Sequence, residues 1–294
     1  MENDSPRVLV TGSSGFIGRR MLERMRRSGT DATGWTRADG DLRDPDVVRT
    51  RLARIRPDHI FHLASEPPKP VAETWTRVAD EQAMLANLAY AMPSHCRLIY
   101  AGSMAEYGRA GLLRETDQCV PDTGYGCAKS SGTNLALALR TILQVDIRVG
   151  RLFGVYGPGE GPSRLLPTLF ARLRSGEPMP LSDGEQVRDF IHVDDVCTVL
   201  FALADAPGPP PIVNVGTGRG VSVRHVCETV ADVLNADPSL LRFGARPRRH
   251  VDQDALVAGT KLLQSVVAPP PQRWLDKTLA AEVIDSMCGN LPSV

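Results

Sequence analysis

Short apolar runs alternate with segments of helical periodicity through the first half of the chain. "RVLVTG" predicts a strand that ends in glycine, and "FIGRRMLERMRRSG" predicts a helix with a glycine stop. The alternation continues through "DHIFHLAS", "AETWTRVADEQAMLANLAYAM" and "CRLIYAGS". Strands and helices that alternate at this spacing predict an α/β fold with a doubly wound parallel sheet and helices on both faces.

The rhythm changes after "VDIRVGRLF", where glycine and proline become dense. Helical segments such as "LLPTLFARLRSG" and "VRHVCETVADVLN" then alternate with short strand-like runs. This change predicts a first domain over residues 1–155 and a smaller α/β domain over residues 156–294. We expect residues 190–218 to return to the first domain, because "IVNVG" is a typical buried strand.

Composition excludes several classes of function. The 34 basic and 34 acidic residues give a net charge of +0, whereas a nucleic-acid-binding protein normally carries a basic excess. The start "MENDSPR" lacks the basic-then-apolar pattern of a signal peptide, and no apolar run approaches the roughly 20 residues of a membrane helix. The six cysteines show neither CxxC nor metal-ligand spacing. We therefore expect a cytoplasmic protein without metal, membrane or nucleic-acid partners.

The stretch "VLVTGSSGFIG" places Gly12, Gly15 and Gly18 three residues apart, between a predicted strand and a predicted helix. Glycine permits the tight turn, lets backbone N–H groups approach a pyrophosphate and allows close helix–strand packing. The N-terminus of the following helix favours the phosphate charge. In this context the loop predicts a dinucleotide site and a Rossmann-type fold.

The end of the second predicted strand favours NADP(H) over NAD. A carboxylate there would bind the ribose hydroxyls of NAD, and an arginine would accept the 2′-phosphate of NADP. This chain has Thr36 and Arg37 at that point, and no acid before Asp39. NAD stays possible, because Arg37 could be an ordinary surface arginine.

The stretch "GYGCAKS" places Tyr125 and Lys129 four residues apart, where a run with helical periodicity begins. Residues at this spacing share one face of a helix. A free phenol ionises at about pH 10, and a neighbouring ammonium stabilises the phenolate. The pair is therefore a candidate general acid; taken alone, it would equally suit a solvated surface.

Together these motifs resemble the extended short-chain dehydrogenase/reductase family, especially its nucleotide-sugar-modifying members, over nearly the whole chain. "TGSSGFIG" is similar to the family's GxxGxxG loop, "GDLRD" to its adenine-side acid and "HLAS" to a cofactor-side strand end. "GSMAEYG" is similar to the catalytic Ser/Thr segment, and "YGCAK" to YxxxK. "GRLFGVYGP" resembles the crossing between domains, and "QVRDFIHVDDV" a signature of the substrate domain.

The resemblance implies that Tyr125 transfers a proton, that Lys129 holds the nicotinamide ribose and that Ser103 hydrogen-bonds the reacting oxygen. It implies a set of dinucleotide-binding residues: Gly12, Ser14, Gly15, Phe16, Ile17, Gly18, Thr36, Arg37, Asp41, Leu42, Leu63, Ala64, Ser65, Tyr125, Lys129 and Leu152. It implies a set of substrate-binding residues: Ser103, Met104, Tyr125, Gly154, Arg188 and Arg248.

In that substrate set, the two arginines are expected to bind a diphosphate, with Arg246 or Arg249 as alternatives to Arg248. His192 is expected to be structural. Asp194 and Asp195 are expected to cap the following helix.

Three departures from the family pattern bear on the reaction. Dehydratases carry Thr-Asp-Glu where this chain has Ser103, Met104 and Ala105, so water elimination is not expected. Gly154 replaces an asparagine, and Glu81 stands where a helix often carries asparagine. The connection from the second strand to "DLRD" is too short for the helix that normally crosses there, as in deoxysugar reductases.

These features predict an NADPH-dependent 4-ketoreductase of a nucleotide-linked keto-deoxysugar. The alternative is an NAD-dependent nucleotide-sugar 4-epimerase. A non-catalytic redox sensor is a third possibility, against which the intact Ser103, Tyr125 and Lys129 set argues.

We also expect a homodimer that pairs through the helix "AETWTRVADEQAMLANLAYAM" and the helix that begins at Tyr125. Both carry more apolar positions than one sheet-facing stripe requires. The positions concerned are Ala83, Leu85, Ala86, Leu135, Ala136 and Leu139.

Overall fold

The computed structural model describes residues 6–65, 71–249 and 252–268, together with 271, 273, 275, 276, 280, 281 and 284. Its helices are α1 Phe16–Arg27, α2 Pro45–Ile55, α3 Thr74–Ala91, α4 Gly124–Leu143, α5 Leu165–Arg174, α6 Val193–Asp205, α7 Val223–Val233 and α8 Lys261–Val266. Its strands are β1 Val8–Thr11, β2 Ala32–Trp35, β3 His59–His62, β4 Arg97–Ser103, β5 Gly111–Leu113, β6 Asp146–Leu152, β7 Gly154–Tyr156, β8 Met179–Pro180, β9 Val187–His192, β10 Ile212–Val215, β11 Gly220–Ser222, β12 Leu241–Arg242 and β13 Ala255–Ala258.

The main sheet is parallel and has the order β10-β6-β4-β3-β1-β2. Alternate side chains of β1 explain its two covered faces. Val8 and Val10 pack with α1, α6 and α8, and Leu9 packs with α2, α3 and α4. The predicted doubly wound α/β fold with helices on both faces is confirmed.

A second sheet of shorter strands has the order β11-β9-β13-β5, and β7 also pairs with β9. Next to it, α5, α7, β8 and β12 enclose a separate hydrophobic cluster that includes Leu169, Phe170, Val226 and Val230. This part of the chain forms the smaller α/β layer.

The two predicted sequence ranges interleave in space. β10 and α6 fall within 190–218, and they lie in the main sheet and against it. β5 precedes residue 155, yet it pairs with β13 in the second sheet. Leu263 of α8 packs into the core of the main sheet. The connection from β2 to α2 holds only the short 3₁₀ turn Arg37–Asp39.

Within the described residues, no helix is both long enough and apolar enough to cross a membrane. The described cysteines 96, 119, 127, 197 and 227 are free thiols, and Cys288 lies outside the described residues.

Candidate active site

A cavity of about 420 Å³ opens at the carboxyl ends of β1, β2 and β3. This is the edge of a doubly wound sheet where ligands bind. Its lining includes most of the predicted dinucleotide-binding residues: Gly12, Ser14, Gly15, Thr36, Arg37, Asp41, Leu42, Leu63, Ala64 and Ser65.

The turn after β1 requires glycine for two different reasons. Gly12 has φ +65°, and a Cβ there would lie 2.6 Å from the backbone nitrogen of Ala64. A Cβ on Gly18 would collide with the carbonyl oxygen of Gly12. Gly12 therefore keeps the space between the loop and the end of β3 open, and Gly18 lets α1 approach the loop. These residues fit the pyrophosphate of a dinucleotide held at the N-terminus of α1.

Six predicted contacts do not line this cavity, namely Tyr125 and Lys129, which are described below, and Phe16, Ile17, Gly18 and Leu152. Phe16 lies close to Gly159, Ile17 packs against the core, and Gly18 has the packing role described above. Leu152 is buried in the same core as β1 and α6. Sequence reasoning missed three lining residues, Trp35, Gly40 and Met84. Trp35 donates from Nε1 to the carbonyl oxygen of Gly40 at 2.9 Å, a contact for which no motif exists.

The carboxylates near the end of β2 already bind protein groups. Asp39 accepts hydrogen bonds from the backbone nitrogen and the hydroxyl of Thr36, at 2.9 and 2.8 Å. Asp41 pairs with Arg43 at 2.6 Å, and hydrogen bonds from Arg43 hold the pKa of Asp41 below its ordinary value. Arg37 is exposed and lines the cavity.

Ser103 ends β4 and is held in place by its own local turn. Its Oγ accepts a hydrogen bond from the backbone nitrogen of Ala105 at 3.2 Å. Its backbone nitrogen donates to Glu106 Oε1 at 2.8 Å, and Glu106 Oε2 lies 2.8 Å from Arg151 Nε. Glu106 is fully buried, and burial raises its pKa. Met104 follows Ser103 and packs partly buried beside Phe153 and Tyr107.

Tyr125 and Lys129 lie in the first turns of α4. Tyr125 is 41% exposed, whereas the Lys129 ammonium is buried and lies 6.0 Å from the centre of the Tyr125 ring. Burial acts to lower the pKa of Lys129, but its electrostatic interactions with Tyr100 and Glu81 outweigh burial, so its pKa is raised. Glu81 Oε2 lies 3.3 Å from Lys129 Nζ.

A close helix contact brings α4 to the Ser103 segment. The hydroxyl of Thr123 caps α4 by accepting a hydrogen bond from the backbone nitrogen of Gly126 at 2.9 Å. A Cβ on Gly126 would collide with the carbonyl oxygen of Ala105. Because Gly126 follows Tyr125 and Ala105 lies two residues after Ser103, the proposed acid and hydroxyl stand on adjoining segments.

Arg188 and Arg248 are held by groups of the second layer. Arg188 donates to the carbonyl oxygens of Val187 and Gln253, both at 2.8 Å. Its pKa is lowered, chiefly by burial and also by the nearby charges of Arg249 and Arg248. Arg248 binds Asp183 at 2.7 Å and Asp254 at 2.8 Å. At Gly154, the Cβ position lies 2.8 Å from the carbonyl oxygen of Asp189, so a side chain has no space there.

The capping prediction for the helix after "RDFIH" was wrong. α6 begins at Val193, and His192 caps it by accepting a hydrogen bond from the backbone nitrogen of Asp194 at 3.2 Å. Asp194 instead binds Arg20 of α1 at 2.5 and 2.8 Å and so joins the two helices. Burial lowers the pKa of His192 to about 4, so its ring is a neutral acceptor.

Asp189 has a related structural role. It is buried, and it accepts hydrogen bonds from Thr217, Gly218 and Ala258. It therefore fixes the loop after β10. Among the described residues, no group of three or more His, Cys, Asp or Glu side chains could hold a metal ion.

Comparison with known proteins places this geometry in a family. The model of the NAD dependent epimerase/dehydratase family matches residues 8–216. The dTDP-6-deoxy-L-talose 4-dehydrogenase (NAD(P)(+)) of Kitasatospora kifunensis is 31% identical over 258 residues, which cover 77% of this chain and 78% of that protein. The dTDP-4-dehydro-6-deoxy-D-allose reductase of Streptomyces bikiniensis is 27% identical over an alignment of 315 residues, with 95% of this chain and 90% of that protein covered.

Among solved structures, MoeE5 in complex with UDP-glucuronic acid and NAD superposes with a TM-score of 0.81 at 28% identity. The match covers 97% of this chain and all of that one. The chain therefore belongs to the NAD dependent epimerase/dehydratase family and is an NAD(P)-dependent oxidoreductase of the extended short-chain dehydrogenase/reductase type.

Proposed function

We propose that the protein is an NADPH-dependent 4-ketoreductase of a nucleotide-linked keto-deoxysugar. Two relatives support this choice, since one is a dTDP-6-deoxy-L-talose 4-dehydrogenase and the other a dTDP-4-dehydro-6-deoxy-D-allose reductase. Both names describe oxidation or reduction at a sugar carbon, which is the chemistry that Ser103, Tyr125 and Lys129 suit.

The NADPH assignment depends on how the charged side chains after β2 are arranged. Selectivity for NAD would need a carboxylate directed at the ribose hydroxyls. Asp39 is turned back onto Thr36, and Asp41 is paired with Arg43. Arg37 lies exposed on the lining of the cavity. A guanidinium in that place suits the 2′-phosphate of NADPH, because its planar donors match phosphate oxygens.

Ser103, Tyr125 and Lys129 would have different roles in the proton transfer. When bound, NADPH supplies a hydride to the keto carbon. Tyr125 donates its phenolic proton to the carbonyl oxygen as that oxygen gains charge. Ser103 Oγ uses a lone pair to accept from Ala105, so its hydroxyl hydrogen is left to stabilise the same oxygen. Lys129 stabilises the phenolate that results.

Dehydration is disfavoured by the same segment. Met104 and Ala105 offer no carboxyl group. Glu106, the next acid along the chain, is fully buried and bound to Arg151 and the Ser103 backbone. Its carboxylate therefore cannot reach a substrate.

We propose that Arg188, with Arg248, binds the substrate diphosphate. The pairs that now hold Arg248 are with Asp183 and Asp254, whose side chains are 48% and 86% exposed. Exposed pairs are weak, typically below about 1 kcal/mol, so a diphosphate could replace them at little cost.

Cofactor binding and release test the proposal. Wild-type protein is expected to bind NADPH more tightly than NADH, and Arg37→Asp to weaken NADPH binding far more than NADH binding. Arg54→Asp, at an exposed position on α2 outside the cavity, is the matched control and should change neither constant. Fluorescence titration of both nucleotides gives all the constants.

Preference of the wild type for NADH would contradict the NADPH assignment. The epimerase alternative makes a separate prediction, since a 4-epimerase recycles tightly held NAD. Stoichiometric dinucleotide in the supernatant of denatured protein would therefore favour the epimerase over the reductase.

We also propose a homodimer through α3 and α4, for which the half-buried Ala83, Ala86 and Leu135 stay candidate contacts. Leu85, Ala136 and Leu139 are buried in the core of their own chain, so they cannot meet a partner. The large hydrophobic side chains that these helices expose are Trp75, Tyr90 and Ile142, at 77%, 69% and 72%, together with the less exposed Tyr125, at 41%. Large exposed apolar side chains on adjoining helices are typical of an interface.

A further inference from the structure

Two buried cations lie beside the phenol ring of Tyr125. The guanidinium carbon of Arg77 lies 5.1 Å from the ring centre, and Lys129 Nζ lies 6.0 Å from it. The side chains of Arg77 and Lys129 are only 6% and 4% exposed. The YxxxK motif accounts for the lysine, whereas no motif points to the arginine.

The carboxylate of Glu81 joins the two cations. Its Oε1 lies 3.3 Å from Arg77 Nε, and its Oε2 lies 3.3 Å from Lys129 Nζ. Ser65, on the cavity lining, donates its hydroxyl to Oε1 at 2.8 Å. Arg77 and Glu81 lie one turn apart on α3, and Tyr125 and Lys129 lie one turn apart on α4. The packing of α3 on α4 brings the four side chains together.

Arg77, Glu81 and Lys129 together carry one net positive charge, the same as a lone lysine, but that charge is spread over three side chains. A carboxylate at 3.3 Å offsets much of the positive potential that Lys129 alone would exert on a nearby phenol. Arg77 then supplies the positive charge that Glu81 removes. We propose that Arg77 is a positioning residue for proton transfer, which acts through Tyr125 as part of an Arg77–Glu81–Lys129 triad.

The neighbouring titratable groups add no further charge at neutral pH. Tyr100 of β4 has its ring centre 5.2 Å from Lys129 Nζ, and burial raises the pKa of its hydroxyl, so it stays neutral. His62 of β3 packs on Tyr100, and burial lowers the pKa of its ring to about 3. Among the described groups packed around Tyr125 and Lys129, the charge that stabilises a phenolate therefore comes from the triad.

The inference rests on the proposed role of Tyr125, but its test needs neither substrate nor dinucleotide. The ionisation of Tyr125 is followed by the near-ultraviolet absorbance of tyrosinate during a pH titration of the folded protein. Each variant is measured against a partner that also carries Tyr125→Phe, and the difference isolates one phenol among the five tyrosines.

The two single variants should move the titration midpoint in opposite directions. Arg77→Met removes a positive charge and should raise the midpoint by about one pH unit or more. Glu81→Gln removes a negative charge and should lower it. The double variant, which leaves Lys129 as the nearest charge, should return close to wild type. Arg77→Lys, which keeps the charge, and Arg54→Met, an exposed control on α2, should leave the midpoint in place.

A midpoint unchanged in Arg77→Met would overturn the proposal. So would shifts of the same sign in both single variants, since simple disruption of the packing would act in one direction. If Arg77→Met does not fold, the sign of the Glu81→Gln shift decides, and a shift upward would overturn the triad. Full turnover in Tyr125→Phe would instead overturn the proposed catalytic role while the charge coupling could still be measured.

Discussion

Replacing Glu160 with glutamine should stabilise the protein above neutral pH and change it little in acid. Glu160 lies between β7 and α5, and its side chain is 6% exposed. One carboxyl oxygen lies 3.5 Å from Nε of the exposed Arg164, and the other has no hydrogen-bond partner among the described residues. Burial, which outweighs the effect of Arg164, raises the pKa of Glu160 from 4.5 to about 7.

The sign of the effect follows from proton linkage. Because the pKa of Glu160 is higher in the folded state, folding favours the protonated carboxyl group. This contribution is complete below pH 4.5 and is lost as the pH rises through about 7. At roughly 1.4 kcal/mol per pH unit, the difference between 4.5 and about 7 sets an upper bound of about 3 kcal/mol. Glutamine does not ionise, so the variant escapes this loss.

Urea unfolding of wild type and Glu160→Gln at about pH 4 and about pH 8 measures the effect, because stability changes with pH only where proton binding differs between the states. We expect the variant to gain about 1–3 kcal/mol over wild type on going from the lower to the higher pH. Taking the difference between two pH values cancels any constant cost of burying the amide. Glu177→Gln, at an exposed position, is the matched control. An equal gain in that control, or none in Glu160→Gln, would refute the reasoning.

Three further changes test the site and the assembly. Tyr125→Phe should lower turnover by about 10²–10⁴ while dinucleotide binding measured by fluorescence survives, and near wild-type turnover would end its assignment as the acid. Gly12→Ala should abolish dinucleotide binding in the same assay, because its methyl group would lie 2.6 Å from Ala64. Ile142→Glu changes an exposed residue of the proposed interface, so it should give monomers in light scattering at an unchanged melting temperature. Leu139→Arg should instead lower the melting temperature, because it buries a charge. A wild-type protein that is already monomeric would contradict the dimer.

The main sheet could be predicted because β1, β3 and β4 are continuous buried runs between helices, whereas β2, in which only Trp35 is buried, gives a weaker signal. In β3 and β4 nearly every residue is buried, which is the pattern of a parallel sheet covered on both faces. The second sheet gave no such signal. β5 and β11 have three residues each, too few for a period to show. β5 also pairs with β13, far along the chain, so local sequence could not place it.

The site likewise contains residues that local sequence predicts and residues that only the packing brings together. The glycine loop and the Tyr125–Lys129 pair are local patterns whose function depends on spacing alone, and spacing is visible in the sequence. Trp35 and Gly40 meet through a turn, and Met84 reaches the cavity from α3, so their places depend on packing. Arg77 and Glu81 are a helical pair like many others until α3 packs on α4.

The least predictable property is which of the charged groups after β2 bind one another. Sequence shows that acids and arginines are interspersed after β2, but not which of them already bind one another. Asp41 is the position that the family resemblance assigns to the adenine side, and its carboxylate is bound by Arg43 at 2.6 Å. Asp39 likewise closes its own turn. The NADPH proposal draws its support from these pairings, because both nearby carboxylates that could serve NAD contact protein groups, whereas Arg37 lines the cavity. Cofactor selectivity in such a loop is therefore a property of the whole hydrogen-bond network, of which the single arginine is the part that a sequence displays.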